Sequence, residues 1–314
     1  LNYDYAPHIN NIVRFGFDKN DSPLFSIIIP TYNRCGLLLK TFNAVARQKN
    51  ISSGEFELLV IDNHSEDRTE KEVERFAKFR KILPVTYIKL KENYEGDFAR
   101  NIGVLHSRGR LLVFTDDDCV PPSDWLFEFK REMEADPEIA GVGGDKTPKS
   151  TKKNLDIYHR FLMWGHFLLP HERTKSPFLH HNHCGNFNAN VCYRKDVFEK
   201  IGGFNVYFSH ISSREFKTRL HKSGVLLLYE PRMVEHFAFF TFKTHVLKLL
   251  PQGWDRYLLH KLHPDVWPNP SFSYFLKRTG RDIHKVFSGG KQPPLFNKSL
   301  LDMIDFSFIS IVTN

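Results

Sequence analysis

The chain has 314 residues, a formal net charge of +8, 41% hydrophobic residues and 25% charged residues. These proportions allow a well-buried core, and the length favours one large domain with an appended subdomain. The positive charge favours an anionic partner such as a nucleotide diphosphate or a phospholipid surface. Because the basic residues are scattered, with no block of five or more, we expect no nucleic-acid partner.

Cysteine spacing and apolar segments bear on the location of the protein. The four cysteines form no C-x-x-C pair, so we interpret them as reduced thiols of a cytosolic protein. Residues 1–11 lack a signal pattern, and no stretch reaches the ~20 apolar residues that a membrane-spanning helix needs. We therefore predict a cytoplasmic protein. The charge and an apolar tail at 299–313 are compatible with peripheral contact at the inner face of the membrane.

Strand and helix patterns alternate through the first half of the chain. Continuous apolar runs predict buried strands, and apolar residues at helical spacing predict the helices between them. This alternation is typical of a mostly parallel sheet with helices on both faces. The predicted strands are 25–30, 56–62, 85–90 and 111–115, and the predicted helices are 36–48, 69–79 and 97–106.

Polar side chains follow three of these strands directly. The clusters are Thr31–Arg34, Asp62–Ser65 and Asp116–Asp118. Ligands of parallel α/β sheets bind beyond the carboxyl ends of the strands, so we expect these three loops to form one site.

The three adjacent aspartates Asp116–Asp118 would repel one another without a positive charge among them. Their oxygen atoms suit magnesium or manganese, and a diphosphate can complete the ligand shell. Such a metal would act as a Lewis acid toward a leaving diphosphate. The alternative is a solvated acidic turn that caps a helix starting near Pro122; the two neighbouring polar loops favour the metal site.

Five sequence motifs occur in order: SIIIPTYNR (26–34), LLVIDNHSEDRT (58–69), ARNIG (99–103), FTDDDCVPPSDWL (114–126) and CGNFNANVCYRKDVFEKIGGF (184–204). In these motifs the chain resembles a family 2 glycosyltransferase of the GT-A fold, over about residues 25–237. The resemblance implies a Rossmann-like, mostly parallel central sheet flanked by helices, a mixed acceptor-side subdomain and a helical C-terminal segment. We accordingly divide the chain into an N-terminal extension (1–24), a nucleotide-sugar-binding α/β half (25–140), an acceptor-binding half (141–240) and the helical segment (241–314).

The resemblance also implies an activity and a set of site residues. It implies inverting, metal-assisted transfer from a nucleotide diphosphate sugar, most often a UDP-sugar, to a hydroxyl of a glycan or lipid-linked acceptor. It suggests a role in bacterial surface polysaccharide or lipid-linked oligosaccharide assembly. Family members usually carry a second aspartate where this chain has Asn63. The implied donor-binding residues are Pro30, Thr31, Tyr32, Arg34, Asp62, Asn63, Arg100, Asp116 and Asp117, and the implied ligands of Mn²⁺ or Mg²⁺ are Asp116, Asp118 and His236.

One departure from the family pattern concerns the general base. Relatives usually carry an acidic pair ahead of an Arg-Leu, and here Ser212 and Ser213 stand at those positions. A serine is not a general base at neutral pH without its own activator. We name Glu215 and His210 as candidate bases, although on a helix Glu215 is rotated by about 200° from Ser213. An altered enzyme that binds a nucleotide sugar or glycan without turnover would also account for the serines, and so would an error in the assumed register.

Two further patterns have weaker support. The cluster His180-His181-x-His183-Cys184 could suggest zinc, but its spacing fits no standard tetrahedral pattern. Residues 163–183 suggest a long loop that could act as a lid. A strand followed by D-x-D-x-V also occurs in haloacid-dehalogenase-like phosphatases. There it normally lies near the start of the chain and needs a later lysine and an acidic pair, and no later acidic pair is evident here.

Overall fold

The structure is a computed structural model that describes residues 3–16, 22–79, 83–149, 174–176, 189–208, 211–237 and 254–267. Several features predicted from the sequence lie outside these residues: the candidate base His210, the histidine-cysteine cluster at 180–184, residues 163–183 apart from 174–176, the apolar tail at 299–313, and the helical segment 241–314 apart from 254–267.

The described residues contain strands and helices in alternation through the first half of the chain. The strands are β1 (Ile9–Phe15), β2 (Phe25–Thr31), β3 (Phe56–Asp62), β4 (Val85–Leu90), β5 (Leu111–Phe114), β6 (Cys119–Val120), β7 (Ile139–Pro148), β8 (Thr174–Ser176), β9 (Val191–Arg194) and β10 (Leu226–His236). The α-helices are α1 (Cys35–Val45), α2 (Thr69–Phe79), α3 (Gly96–His106), α4 (Trp125–Ala135), α5 (Lys195–Ile201), α6 (Ser212–Lys222) and α7 (254–262), and short 3₁₀ turns cover Ala6–His8 and Ser53–Glu55.

The strands form one mixed sheet in the order β1-β4-β3-β2-β5-β9-β7-β10-β6, with β8 paired to β10. Strands β4, β3, β2 and β5 run parallel to one another, whereas β9 joins β5 antiparallel and β1 joins β4 antiparallel. The predicted α/β architecture, with a parallel half followed by a mixed half, is confirmed.

The central strands are buried because helices cover both of their faces. Side chains alternate across a strand, so Ile27 and Ile29 of β2 pack with α1, α2 and α4, whereas Ile28 packs with α3, α5 and α6. Every residue of β3 is buried, which explains why its sequence FELLVID is a nearly continuous apolar run.

The predicted boundaries agree well for strands and less well at helix ends. Strands β3 and β4 and helix α2 have the predicted bounds, while α1 begins at Cys35 and ends at Val45, three residues before the predicted end. Helix α4 begins at Trp125, after the Pro121-Pro122 pair. Strand β1 was not predicted, because its sequence INNIVRF shows no regular alternation of apolar and polar residues. It lies at the edge of the sheet, where it pairs with β4.

The chain divides into two compact units. The first comprises residues 1–146, 172–207 and 212–236 and contains the sheet; the second comprises 147–171, 208–211 and 237–314. In the second unit Phe208, Ile211 and Leu259 form a small buried cluster, and the Ile211 N–H donates to Asp255 Oδ2 at 3.2 Å. None of the helices in the described part of the chain is long and apolar enough to cross a membrane. The four segment boundaries proposed from the sequence stay predictions.

The glycine of the ARNIG motif allows α3 to approach β2 closely. A Cβ on Gly103 would lie 2.4 Å from Ile28 Cγ2, so Gly103→Ala should force the helix and strand apart and destabilise the protein by about 1–3 kcal/mol. Urea denaturation measures the effect. Gly36→Ala in α1 is the control, because nothing lies within 4 Å of its added Cβ and the change should be neutral or slightly stabilising. Equal stability of both variants would contradict this account of the motif.

Candidate active site

Strand register brings the three polar loops together at one edge of the sheet. Thr31 and Asp62 are register partners at the ends of β2 and β3, and β5 lies on the other side of β2. The aspartates that follow β5 therefore lie beside Thr31. The expectation that the three loops share one edge is confirmed for these residues.

Asp117 is held from the β2 side. Its Oδ2 accepts a hydrogen bond from Thr31 Oγ1 at 2.8 Å, and its Oδ1 lies 3.1 Å from Arg34 Nη1. Burial raises the pKa of Asp117 to about 7, although the Arg34 charge opposes this shift. Since the Arg34 side chain remains 51% exposed, it can also reach a ligand at this edge.

Asp118 is held from two sides. Arg34 Nη1 lies 3.0 Å from its Oδ2, and His236 Nε2 lies 3.3 Å from its Oδ1. The pairing of β10 with β6 explains the second contact, since His236 is the register partner of Cys119. Burial works against the charged form of Asp118, but the His236 hydrogen bond and the nearby cations hold its pKa below the usual value.

Asp116 lies between two further cations. Its Oδ1 accepts a hydrogen bond from Arg100 Nη2, and its Oδ2 lies 3.6 Å from Lys146 Nζ. Arg100 Nη1 in turn contacts Asp97 Oδ1 at 2.6 Å, so one guanidinium links two carboxylates. Arg100 and Lys146 are both buried.

The candidate metal ligands converge in space. One ligand atom from each of Asp116, Asp118, Cys119 and His236 lies within 4.8 Å of the others. Two carboxylates and an imidazole suit a divalent cation such as Mn²⁺. Cys119 is a less suitable ligand, because burial raises the pKa of its thiol well above the usual value. The structure thus brings together the three residues predicted from the sequence as metal ligands, and their binding of a metal stays a prediction.

The loops after β2 and β3 brace each other. Asn33 has a positive φ of 51°, and its Oδ1 accepts from the Glu66 N–H at 2.8 Å, while its own N–H donates to Ser65 Oγ at 2.8 Å. Tyr32, next to it, is 41% exposed and offers an aromatic ring at the site edge. Pro30 is partly buried at the end of β2.

Asp62 and Asn63 are engaged within the protein. Asp62 Oδ2 accepts from the Tyr87 hydroxyl at 2.5 Å, and Oδ1 accepts from the Ser65 N–H at 2.8 Å. Asn63 exchanges hydrogen bonds with the backbone of Tyr94. Both residues shape the loop beside the site, and their direct contact with a donor stays a prediction.

Glu215, one of the two candidate bases, makes a paired contact with an arginine. Its carboxylate oxygens accept from Arg219 Nε and Nη2 at 2.8 and 2.9 Å. Arg219 also donates to the carbonyl oxygens of Ile201 and Gly203, both at 2.6 Å. This geometry gives the buried Glu215 carboxylate a role in fixing the turn at 201–203, and its action as a base stays a prediction.

Three residues at or near the site were not identified from the sequence. Lys146 follows no motif, and only the sheet brings it to Asp116. Cys119 joins the cluster through strand pairing. Asn101 lies inside a recognised motif, but its role is visible only in the fold: its amide exchanges hydrogen bonds of 2.8 Å with the backbone of Phe204, which ties α3 to the turn before α6.

Replacement of Glu215 distinguishes a structural role from a chemical one. We expect Glu215→Gln to lower the free energy of unfolding by about 1–3 kcal/mol, because Arg219 loses its charged partner in a mostly buried place. Chemical denaturation measures this loss. Glu74→Gln is the control, since its exposed pair with Lys78 should contribute less than about 1 kcal/mol. Full stability of Glu215→Gln with loss of turnover would instead favour the base.

Part of the chain is similar in sequence to a known glycosyltransferase. Over 105 residues, covering 33% of this chain and 33% of the relative, the sequence is 39% identical to glycosyltransferase AglE of Haloferax volcanii. The chain thus spans about a third of that relative's length.

Two solved structures have the same fold. Mannosyltransferase PcManGT of Pyrobaculum calidifontis, in complex with GDP-Man and Mn²⁺, superposes with a TM-score of 0.52 at 19% identity over 94% of this chain and 71% of that chain. TarS 1–349 of Staphylococcus aureus, in complex with UDP-GlcNAc, gives 0.55 at 14% identity over 92% and 88%. The predicted GT-A fold is confirmed.

The family match covers the aspartates and the loops beside them, whereas His236 lies outside it. Residues 26–202, more than half of the chain, match the family described as Glycosyl transferase family 2. This stretch includes the strand that precedes the aspartates, so the phosphatase alternative is set aside. The chain belongs to glycosyl transferase family 2.

Proposed function

We propose that this protein transfers a sugar from a nucleoside diphosphate donor to a hydroxyl group of an acceptor, with a divalent cation at the aspartates. The observation that carries the proposal is the convergence of Asp116, Asp118 and His236 at the carboxyl edge of the parallel strands. Exposed Tyr32 and the cations Arg34 and Lys146 lie at the same edge. Metal ligands, an aromatic ring and cations together suit a nucleoside diphosphate.

The charge arrangement supports diphosphate binding. Arg34, Arg100 and Lys146 surround the three aspartates, and each contacts at least one of them. Such a network neutralises the carboxylates before a ligand arrives, and its exposed member, Arg34, can turn toward a phosphate. Arginine and lysine near the leaving group would offset the negative charge that develops on the departing diphosphate.

The residues also fit the proposed metal ion. Asp116 and Asp118 supply hard oxygen atoms, and His236 supplies an imidazole nitrogen, all within 4.8 Å of one another. A bound Mn²⁺ or Mg²⁺ would supply Lewis-acid stabilisation of the diphosphate. The complexes of PcManGT with GDP-Man and Mn²⁺ and of TarS with UDP-GlcNAc support a metal and a nucleotide sugar here.

Finer features of the proposal come from the resemblance. We propose an inverting transfer with a UDP-sugar as donor, a glycan or lipid-linked acceptor, and a role in surface polysaccharide assembly. We also retain the role of Pro30, Thr31, Asp62, Asn63 and Asp117 in donor binding. Peripheral contact with the membrane is part of the same proposal.

A second candidate function is binding of a nucleotide sugar without turnover. The observation in its favour is that Ser212 and Ser213 stand where the resemblance implies a carboxylate, while Glu215 pairs with Arg219. Donor binding with neither transfer nor slow release of the nucleotide would support this second function.

A donor panel tests the proposed function. Thermal shift with UDP-GlcNAc, other UDP-sugars and GDP-mannose should raise the melting temperature with at least one donor, and more in Mn²⁺ than in EDTA, because the metal links the carboxylates to the diphosphate. Asp118→Asn should lose most of the Mn²⁺-dependent increase in melting temperature, since it removes the charge of a proposed metal ligand while nearly keeping its shape.

Asp196→Asn provides the matched control. This aspartate lies on α5, is half exposed and pairs with Lys200 on the same helix, so its replacement should leave the shift unchanged. An absence of metal-dependent stabilisation with every donor would overturn the proposal. Equal loss in both variants would show that the shift does not depend on the aspartate cluster.

A further inference from the structure

Transfer to a hydroxyl releases a proton, so the proposed function needs a proton acceptor near the aspartates. Neither Ser212 nor Ser213 can supply it unaided. The Glu215 side chain is only 3% exposed and both its carboxylate oxygens face Arg219, so an acceptor has little access to it. Among the described residues beside the cluster, the geometry singles out another carboxylate, that of Asp97 in the first turn of α3.

Asp97 lies where two helices begin. Its Oδ2 accepts a hydrogen bond from the Ser212 hydroxyl, and the Ser213 backbone N–H also donates to its carboxylate. Ser212 is the first residue of α6, so the N-termini of α3 and α6 meet at this one side chain. The free N–H groups at helix N-termini favour a carboxylate at such a place.

The same carboxylate is linked to the aspartate cluster. Arg100 contacts Asp97 through Nη1 and Asp116 through Nη2, so a single guanidinium separates the two carboxylates. The Asp97 side chain is 12% exposed, which leaves an edge open to solvent or an acceptor. Burial raises the pKa of Asp97 in spite of the Arg100 charge, which is the direction that proton uptake requires.

We propose that Asp97 is the proton acceptor of the transfer reaction. Its carboxylate comes from α3 and lies at the start of α6, where Ser212 and Ser213 stand. Asp97 takes the proton of the acceptor hydroxyl as the acceptor oxygen bonds to the anomeric carbon. The bond from that carbon to the donor diphosphate breaks, and its electron pair leaves with the nucleoside diphosphate. The inference rests on the proposed glycosyltransferase function.

The turn at 201–204, which follows α5, ties α3 to α6 and so helps to hold Asp97 beside Ser212. Asn101 binds the Phe204 backbone, and Arg219 binds the carbonyl oxygens of Ile201 and Gly203. Both braces connect the segment before α6 to helices of the same unit. Glu215, through Arg219, is a positioning residue in this arrangement.

The test separates binding from turnover in the full chain. Water serves as the acceptor, and the release of UDP from UDP-GlcNAc or of GDP from GDP-mannose is measured with Mn²⁺. Asp97→Asn keeps the shape and one acceptor oxygen, so we expect a loss of ~10²–10⁴-fold in the release rate. Binding of UDP or GDP by calorimetry should change by less than about threefold, because ground-state contacts remain. Asp196→Asn, half exposed on α5, is the control.

A double variant covers the case in which Asp97→Asn does not fold. Asp97→Ser combined with Ser212→Asp returns a carboxylate to the same junction from the other helix. Because a general base contributes about 10²–10⁴-fold, the double variant should release nucleotide at least ~10-fold faster than Asp97→Ser alone. Circular dichroism checks folding of each variant.

Each contrary outcome counts against the proposal. An unchanged rate in Asp97→Asn overturns it, and so does a parallel loss of nucleotide binding, which would mean that Asp97 only positions Arg100. Wild-type protein that binds nucleotide but releases none from either donor also overturns it, while the proposed donor site survives. Wild-type protein that binds neither nucleotide overturns the proposed function and this inference together.

Discussion

The site depends on placing three consecutive carboxylates, Asp116–Asp118, at the end of a buried strand. Carboxylates this close repel one another, and burial adds the cost of removing each charge from water. The protein supplies cations from separate parts of the fold, namely Arg34 after β2, Arg100 in α3 and Lys146 in β7, and an imidazole from His236 at the end of β10. The site therefore forms only when these elements pack together, which couples the site to the fold.

The scaffold meets this requirement by strand register and a few close contacts. Pairing of β10 with β6 sets His236 opposite Cys119, and the β2 register sets Thr31 beside Asp117. Gly103 lets α3 lie close enough to β2 for Arg100, one turn earlier on the same helix, to reach the aspartates. The ARNIG motif thus contributes both Arg100 to the site and Gly103 to the packing of α3 on β2.

The arrangement around Asp97 suggests how a site can keep its chemistry when a sequence pattern changes. A proton acceptor is defined by where its oxygen lies and what surrounds it, not by which helix carries it. Two helix N-termini meet here, so a carboxylate from either one would occupy the same space. Serines at 212 and 213 then act as hydrogen-bond donors to Asp97.

The sequence by itself determined the elements whose signals are local. The buried run Phe56–Asp62 has the predicted bounds, because burial on both faces favours a nearly continuous apolar sequence. Asp116–Asp118 indicated a site by following another such run. Only the tertiary structure decided that Lys146 faces the aspartates and that Asp97 meets Ser212, 115 residues away. Such contacts leave no periodic trace in the chain, because they arise from the pairing of strands and the packing of helices that are distant in sequence.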